Sequence, residues 1–249
     1  MSQNAKRIPI VLMLIAGCAL GLSAGPMAAG AAGIASLNVQ VGGVRSGGVL
    51  PGLFAFCIPA KTNHVALGPN QNPLIRWSKG PAKTASYAII MVDTDAPTVA
   101  TDVNKEGHVV SASLKRAPFY HWVLVDIPVG ITQIPGGAAS RGVTAHGKPA
   151  GPTKYGLTGI NDYTGWFANN SKMAGNYGGY DGPCPPWNDA IPHHYHFQVY
   201  ALNMPHLGLT GNFTGSVALA AIRGHELAKG ELIGVYTLNP AVAKKMHVK

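Results

Sequence analysis

The sequence predicts a mainly β domain, built from two antiparallel sheets with Greek-key connections, and three observations point to that class. Four short segments rich in Val, Ile, Tyr and Phe are bounded by Gly, Pro, Asn or Asp, as strands are. Strands and helices do not alternate regularly along the chain, which argues against a doubly wound parallel sheet. Gly (32) and Pro (19) are frequent among the 249 residues, which indicates many turns and long ordered loops.

The amino-acid composition excludes several classes of protein. Hydrophobic residues make up 47% of the chain and charged residues 12%, so there is material for a sizeable core and a disordered polar chain is excluded. Lys and Arg number 19 against 10 Asp and Glu, a formal net charge of +9, yet the basic residues are scattered. Because nucleic-acid binding requires a clustered basic surface, we expect no nucleic-acid partner.

The first residues of the chain have the features of an export signal. Lys6 and Arg7 precede an apolar run over residues 8–22, which is the order found in signal peptides. Small residues at 29–31 would end the signal at residue 31, whereas a lipobox at 15–18 would end it at residue 17 and lipidate Cys18. Both alternatives stay open, and an uncleaved membrane helix is a third. We expect an exported protein, periplasmic or secreted, whose membrane contact is an N-terminal lipid anchor if one is present.

The rest of the chain is expected to consist of a linker, one domain and a tail. The linker covers residues 32–50, the domain residues 51–240 and the basic tail residues 241–249. Strand composition marks residues 87–92, 121–126, 196–202 and 232–238. Thr214 can cap a helix between residues 215 and 227, so one or two peripheral helices are expected near the C-terminus.

Polar side chains collect at the ends of two of these strands. Asp93 and Asp95 follow a buried strand, where they can bind a metal, orient a histidine or form a turn. His121 begins the next strand, and strict alternation of side chains places it on the same face as Val123 and Val125. A histidine in that position is commonly a hydrogen-bonded core residue.

A third polar cluster follows the Gly- and Pro-rich loop over residues 178–187. Strand alternation puts His193, Tyr195 and Phe197 on one face, with His194 and His196 on the other. A zinc ion on His194 and His196 would need a third ligand, and the sequence fixes none. We therefore expect no metal and no cofactor.

Two cysteines remain once Cys18 is removed or lipidated. Cys57 and Cys184 can form a disulfide in an exported protein, or they can be two separate buried thiols. Both alternatives stay open, because the sequence does not give the distance that a disulfide requires.

Five sequence motifs occur in an order that is typical of one known family. The motifs are Asn72–Ser78, Asp93–Pro97, Phe119–Val125, Gly182–Pro186 and His193–Leu202. Together with the ending Gly224–Leu232, they resemble the phosphatidylethanolamine-binding protein family, and in particular its bacterial branch. The resemblance extends from about residue 51 to residue 240.

This resemblance implies two antiparallel sheets and a small anion-accepting cavity at one end of the larger sheet. Carried over residue by residue, it implies that the cavity is formed by Asp93, His121, Gly182, Pro183, His193 and Tyr195, with Pro97 shaping the adjacent turn.

The chain departs from the family pattern at three places. Thr94 stands where the family has proline, and His194 stands where it has arginine, which implies a weaker or pH-dependent salt bridge there. The segment over residues 161–176, with aromatic residues at 163, 166 and 167, has no counterpart in the short eukaryotic members. It either covers the cavity mouth or packs as a surface loop.

Three functions are compatible with these residues. The first, which we expect, is a binding protein for a small anionic ligand such as phosphate, a phospholipid headgroup or a carboxylate. Its affinity should rise as the pH falls toward about 6, because a histidine must be protonated to hold the anion. The second is a hydrolase that uses Asp93, His121 and His193, with Cys184 as a nucleophile if its thiol is free. The third is an interaction protein that inhibits a protease or binds another partner in the cell envelope.

Overall fold

The computed structural model describes residues 34–246 and is mainly β, as the sequence predicts. The strands are β1 (Ala35–Ser36), β2 (Val39–Val41), β3 (Gly48–Val49), β4 (Cys57–Pro59), β5 (Val65–Leu67), β6 (Ile75–Trp77), β7 (Ser86–Pro97), β8 (Arg116–Pro128), β9 (Gln133–Ile134), β10 (Gly147–Lys148), β11 (Gly151–Thr153), β12 (Gly156–Thr158), β13 (Asn176–Tyr177), β14 (His193–Leu202) and β15 (Glu226–Tyr236). The helices are α1 (Tyr163–Trp166), α2 (Gly215–Ile222) and α3 (Pro240–Met246), and a 3-10 turn covers Gly52–Phe54.

The centre of the fold is an eight-stranded sheet in the order β1-β15-β14-β7-β8-β12-β11, with β3 also paired to β15. Its four long strands, β7, β8, β14 and β15, pair antiparallel and contain the four predicted strands, except that β15 ends at residue 236 and not at 238. The sheet is mixed at one edge, because β1 and β3 pair with β15 in parallel. A smaller antiparallel sheet has the order β2-β6-β9, and β4–β5 and β10–β13 form two-stranded pairs.

The two faces of the large sheet bury different sets of side chains. One face, with Trp122 and Leu124, packs in the main core with residues of the smaller sheet such as Ile75. The opposite face, with Val123, packs against Ala218 and other residues of α2. This separation follows from the period of two along a strand, which sends successive side chains to opposite faces.

The structure places α2 where the sequence predicts a helix, but the helix is shorter. The Thr214 side chain accepts a hydrogen bond from the Val217 N–H, as an N-cap residue does. The helix ends at Ile222 rather than at residue 227, and Gly224 follows with a φ of +84°. Glycine adopts that left-handed conformation without strain, and the chain turns there into β15.

Residues 34–50, which the sequence indicated as a linker, are part of the folded domain. They contribute β1, β2 and β3, and Leu37, Val39, Val41 and Leu50 are buried. The alternation of apolar residues at 37, 39 and 41 is a strand pattern whose apolar face packs in the main core. At the other end, residues 241–246 of the expected basic tail are helical, and Val242 is buried.

The N-terminal expectations lie outside the described residues. These are the export signal, its two alternative ends and Cys18. Among residues 34–246, no helix is both long enough and apolar enough to cross a bilayer.

Candidate functional site

A cavity of about 330 Å³ opens where the central strands β7, β8 and β14 meet the loop that follows residue 183. Strand pairing brings its polar residues together, since Asp93 is the register partner of both Tyr195 and Phe119. Of the seven residues expected at the site, five line the cavity: Asp93, Pro97, His121, His193 and Tyr195. Asp93, His121, His193 and Tyr195 are all buried and form its base.

A β-bulge turns His121 toward this cavity. Met91 pairs with Trp122 while the next residue, Val92, pairs with Tyr120, so His121 is an extra residue in β8. The extra residue shifts the alternation by one position. The expectation that His121 shares a face with Val123 was therefore wrong: its ring lies 5.3 Å from that of Tyr195, on the face of the main core.

Four charged side chains form a chain that we call the base cluster: Asp93, His193, Asp189 and Arg116. His193 lies between two carboxylates, with Nδ1 2.6 Å from Asp93 Oδ2 and Nε2 3.1 Å from Asp189 Oδ2. Arg116 Nη1 donates to the same Asp189 Oδ2 at 2.6 Å, and Arg116 Nη2 donates to Asp189 Oδ1 at 3.0 Å. Such a paired, forked contact is the strongest that arginine makes with a carboxylate.

The base cluster keeps His193 charged at neutral pH. Burial alone would lower the pKa of His193, but the hydrogen bonds to Asp189 and Asp93 outweigh it and raise the pKa to about 9. Burial likewise opposes ionisation of Asp189, yet hydrogen bonds from His193 and Arg116 lower its pKa. Both N–H groups of the imidazolium are thus directed at carboxylates, so His193 is not the hydrogen-bond donor for a ligand.

His121 is held differently. Its Nδ1 lies 2.8 Å from the Asp181 backbone oxygen, which can only accept, so we assign the proton to Nδ1. Burial lowers the pKa of His121, although Asp93 and the bond to Asp181 act in the opposite direction. The ring is neutral at pH 7, and its Nε2 is a hydrogen-bond acceptor.

The Tyr195 hydroxyl is the most informative group at the base. It is buried, and among residues 34–246 it makes no hydrogen bond of normal geometry; the Asp93 carboxylate interacts with it only through a contact that falls short of that geometry. Burial, with a contribution from the nearby Asp93 carboxylate, raises the pKa of Tyr195 well above its usual value, so the hydroxyl stays protonated. Buried polar groups without a partner are rare in proteins. Tyr195 lines the cavity, and its hydroxyl oxygen is itself fully buried at the cavity base.

Gly182 and Pro183, which were expected to contact the ligand, lie behind the cavity wall. The Gly182 N–H donates to Asn70 Oδ1 at 2.8 Å, and the Cys57 N–H donates to the Pro183 oxygen at 3.1 Å. A Cβ at position 182 would lie 1.9 Å from the Phe54 oxygen, so only glycine fits there. These two residues position the loop, whereas the next three residues, 184–186, line the cavity.

Cys57 and Cys184 are joined in a disulfide, with their Cα atoms 4.8 Å apart. Both cysteines line the cavity. The bond fixes the loop to β4, and it leaves no free thiol at Cys184 for the nucleophile of the hydrolase alternative.

A second set of buried groups holds the loop from behind, and we call it the scaffold cluster: Asp181, Lys148, Asn70 and Asn161. Asp181 Oδ1 accepts from Lys148 Nζ and from Asn70 Nδ2, both at 2.7 Å, and Oδ2 accepts from Asn161 Nδ2 at 2.9 Å. The Asp181 N–H also donates to the His121 oxygen at 3.0 Å. Asp181 thus fixes both the backbone and the ring of His121.

Sequence reasoning missed Asp189, Arg116 and Asp181 as parts of the site. The only available signal was that Asp189 precedes His193 by four residues and that Asp181 stands beside the expected Gly182. Arg116 lies 73 residues from its carboxylate partner, and nothing local indicates the pairing.

Two further expectations concern the residues around the site. His194, which stands where relatives have arginine, pairs with Asp95 at 2.8 Å on an exposed part of the sheet. Among residues 34–246, no three His, Cys, Asp or Glu side chains are grouped as metal ligands.

Comparisons with known proteins agree with the fold. Residues 42–237 match the family described as phosphatidylethanolamine-binding protein. The UPF0098 protein YbcL of Escherichia coli is 29% identical over 171 residues, covering 69% of this chain and 74% of that protein. A UPF0098 protein of Pyrococcus abyssi is 31% identical over 179 residues, covering 72% of this chain and 78% of that protein.

A solved structure supports the same assignment. The crystal structure of E. coli YbcL, described as a new member of the mammalian PEBP family, superposes with a TM-score of 0.57 and 25% identity, covering 82% of this chain and 99% of that chain. The family match covers more than half of the chain, and it includes all residues of the cavity base. The chain therefore belongs to the phosphatidylethanolamine-binding protein family and is similar to its YbcL and YbhB members.

Proposed function

We propose that this protein binds a small ligand through an acidic group, a phosphate monoester or a carboxylate, at the base of the cavity. The observation that carries the proposal is the buried Tyr195 hydroxyl, which has no partner among the described residues and lies beside the neutral ring of His121. A donor and an acceptor side by side complement a group that has both an oxygen and a proton.

The charges at the base favour a ligand that brings a proton with it. The base cluster contains two carboxylates, Asp93 and Asp189, and two cations, His193 and Arg116, so its formal charge is zero. The second pKa of a phosphate group is about 6, so the monoprotonated form is available near neutral pH. Tyr195 would donate to one ligand oxygen, and His121 Nε2 would accept the ligand proton or, once protonated itself, donate to the ligand.

This arrangement predicts affinity that rises as the pH falls, and it assigns the protein's part of that effect to His121. The pKa of His121 lies below its ordinary value, so a proton must be taken up when an anion binds at neutral pH. His193 cannot supply that dependence near pH 6, because its pKa of about 9 keeps it protonated throughout.

Titration calorimetry with inorganic phosphate and with phosphoethanolamine at pH 5.5 and 7.5 tests the proposal. We expect about tenfold tighter binding at pH 5.5, and a loss of about tenfold or more in Tyr195→Phe, since a hydrogen bond to a charged group contributes about 1.5–3 kcal/mol. His121→Gln should remove the part of the pH dependence that exceeds the effect of the probe's own second ionisation, which falls in the same range. Tyr155→Phe, a tyrosine outside this cavity, is the control. Equal affinity at both pH values, or an unchanged Tyr195→Phe, would contradict the proposal.

We also propose that the protein is exported, as its first residues predict. The Cys57–Cys184 disulfide supports this, because disulfides persist mainly in oxidising compartments. Mass spectrometry of the protein from its own cells should give a chain that begins at a lipidated Cys18 or directly after residue 31. A chain that retains Met1 and reduced cysteines would overturn export.

A further inference from the structure

The cavity is larger than its acidic-group site requires. At about 330 Å³, it lies in the range of pockets that hold organic ligands. A water molecule occupies roughly 30 Å³ of the liquid, so an inorganic anion of five heavy atoms leaves much of the cavity unfilled. The ligand that fills this cavity therefore has a second part beyond its acidic group.

The rest of the cavity is lined largely by apolar side chains, several of them from the segment over residues 161–176. Tyr163, Trp166, Phe167 and Met173 come from that segment, and Phe56 faces them from the residue before β4. Of the two alternatives for this segment, the structure thus shows it as part of the cavity wall. We call Phe56, Tyr163, Trp166 and Phe167 the aromatic wall.

Three of the four rings of the aromatic wall, Phe56, Tyr163 and Phe167, are packed on one another without a ligand. The rings of Phe56 and Tyr163 stack with centroids 4.4 Å apart and an angle of 16°, and those of Tyr163 and Phe167 lie 5.5 Å apart at 14°. The Tyr163 hydroxyl donates to the Gly182 oxygen at 2.8 Å. Because these three rings are already ordered, a ligand that packs against them costs little further conformational entropy.

The stacking also determines which chemical group the wall accepts. Within the stack of Phe56, Tyr163 and Phe167, the rings cover part of each other's faces and leave their edges, which carry positive partial charge; the half-exposed Trp166 stands apart from this stack. Such edges disfavour an ammonium group, which binds over an open ring face. They favour an apolar group, and an aromatic ring above all, whose face can meet an edge in a T-shaped contact.

We propose that the natural ligand is an amphiphilic acid, in which an aryl or other apolar group is attached directly to the phosphate or carboxylate, and that the aromatic wall selects for it. The inference rests on the proposed function, because the acidic group must sit at Tyr195 and His121. Trp166 is half exposed and marks the mouth, so the apolar group enters along it.

Three phosphate probes that differ only in their second part test this inference by calorimetry at pH 5.5: inorganic phosphate, phosphoethanolamine and phenyl phosphate. We expect phenyl phosphate to bind at least tenfold more tightly than phosphoethanolamine. Trp166→Ala and Phe167→Leu should each weaken phenyl phosphate binding about three- to tenfold and leave the affinity for inorganic phosphate unchanged. Tyr155→Ala, an aromatic residue outside this cavity, should change neither.

The outcomes separate this inference from the proposed function. If phosphoethanolamine binds as tightly as phenyl phosphate or more tightly, or if Trp166→Ala affects all three probes equally, the aromatic wall is not a selector, and the acidic-group site still stands. If none of the three probes binds, both proposals fail. Because Trp166 is half exposed, its variant keeps the test valid even where Phe167→Leu lowers stability.

Discussion

The base cluster and the scaffold cluster are both buried ionic networks, yet their surroundings differ. In the scaffold cluster, Asp181 is paired with one lysine and two asparagine amides, and both its oxygens are used. The base cluster is equally buried, but it borders a cavity and the unpartnered Tyr195 hydroxyl. Buried charges therefore occur in this protein both where they support the fold and at the candidate site. What distinguishes the site is the combination of a cavity with a buried polar group that has no partner among the described residues; Trp77 Nε1 and Thr84 Oγ1 also lack a partner, but neither residue lines the cavity.

Disruption of the scaffold cluster should cause the largest loss in the free energy of unfolding. Asp181→Asn leaves the Lys148 ammonium beside a neutral amide, and breaking a buried ion pair on one side costs about 3–5 kcal/mol. Urea denaturation would measure the loss. The double variant Asp181→Asn with Lys148→Met should recover part of it, because it removes the unpaired charge. If the single variant lost less than about 1 kcal/mol, the cluster would not be the structural element described here.

Removal of the disulfide should cause the next largest loss of stability, and it should also weaken binding in the cavity. Cys57 and Cys184 are 127 residues apart in sequence, and removal of a disulfide commonly costs about 2–4 kcal/mol. The double variant with serine at both positions should be less stable by this amount and should also bind phosphate probes more weakly, because both residues line the cavity. Unchanged affinity alongside reduced stability would show that the disulfide supports only the fold.

The base cluster should make the free energy of unfolding depend on pH. The pKa of His193 is raised to about 9 in the folded state, above its ordinary value of 6.5. Its stabilising contribution is therefore fully present below about pH 6.5 and is lost as the pH rises through 9. The loss should reach at most about 3 kcal/mol.

Urea denaturation between pH 6 and pH 10 would measure this loss. His193→Gln should have a flatter profile, and Asp189→Asn should move the loss to lower pH because it removes one carboxylate partner. A wild-type profile as flat as that of His193→Gln would contradict the charged state assigned to the base cluster.

The sequence predicts the long strands and the capped helix well, because both depend on local patterns. It predicts only those site residues that lie in the family motifs, and five of the seven expected residues line the cavity. The position of His121 depends on a β-bulge, which adds one residue to β8 relative to β7 and which strict alternation cannot foresee. Arg116 and Asp189 meet only through the tertiary fold, and the apolar pattern at residues 37–41 was too short to distinguish a strand from a linker.

The paired measurement of stability and affinity in Tyr195→Phe tests the central claim most directly. In the free protein the Tyr195 hydroxyl is buried without a partner among the described residues. Because an unsatisfied buried polar group costs about 1–3 kcal/mol, its removal should leave the free energy of unfolding unchanged or raise it. The same variant should lose tenfold or more in affinity for phenyl phosphate. A variant that loses more than about 1 kcal/mol of stability while its affinity stays unchanged would contradict the account, since the hydroxyl would then serve the fold and not a ligand.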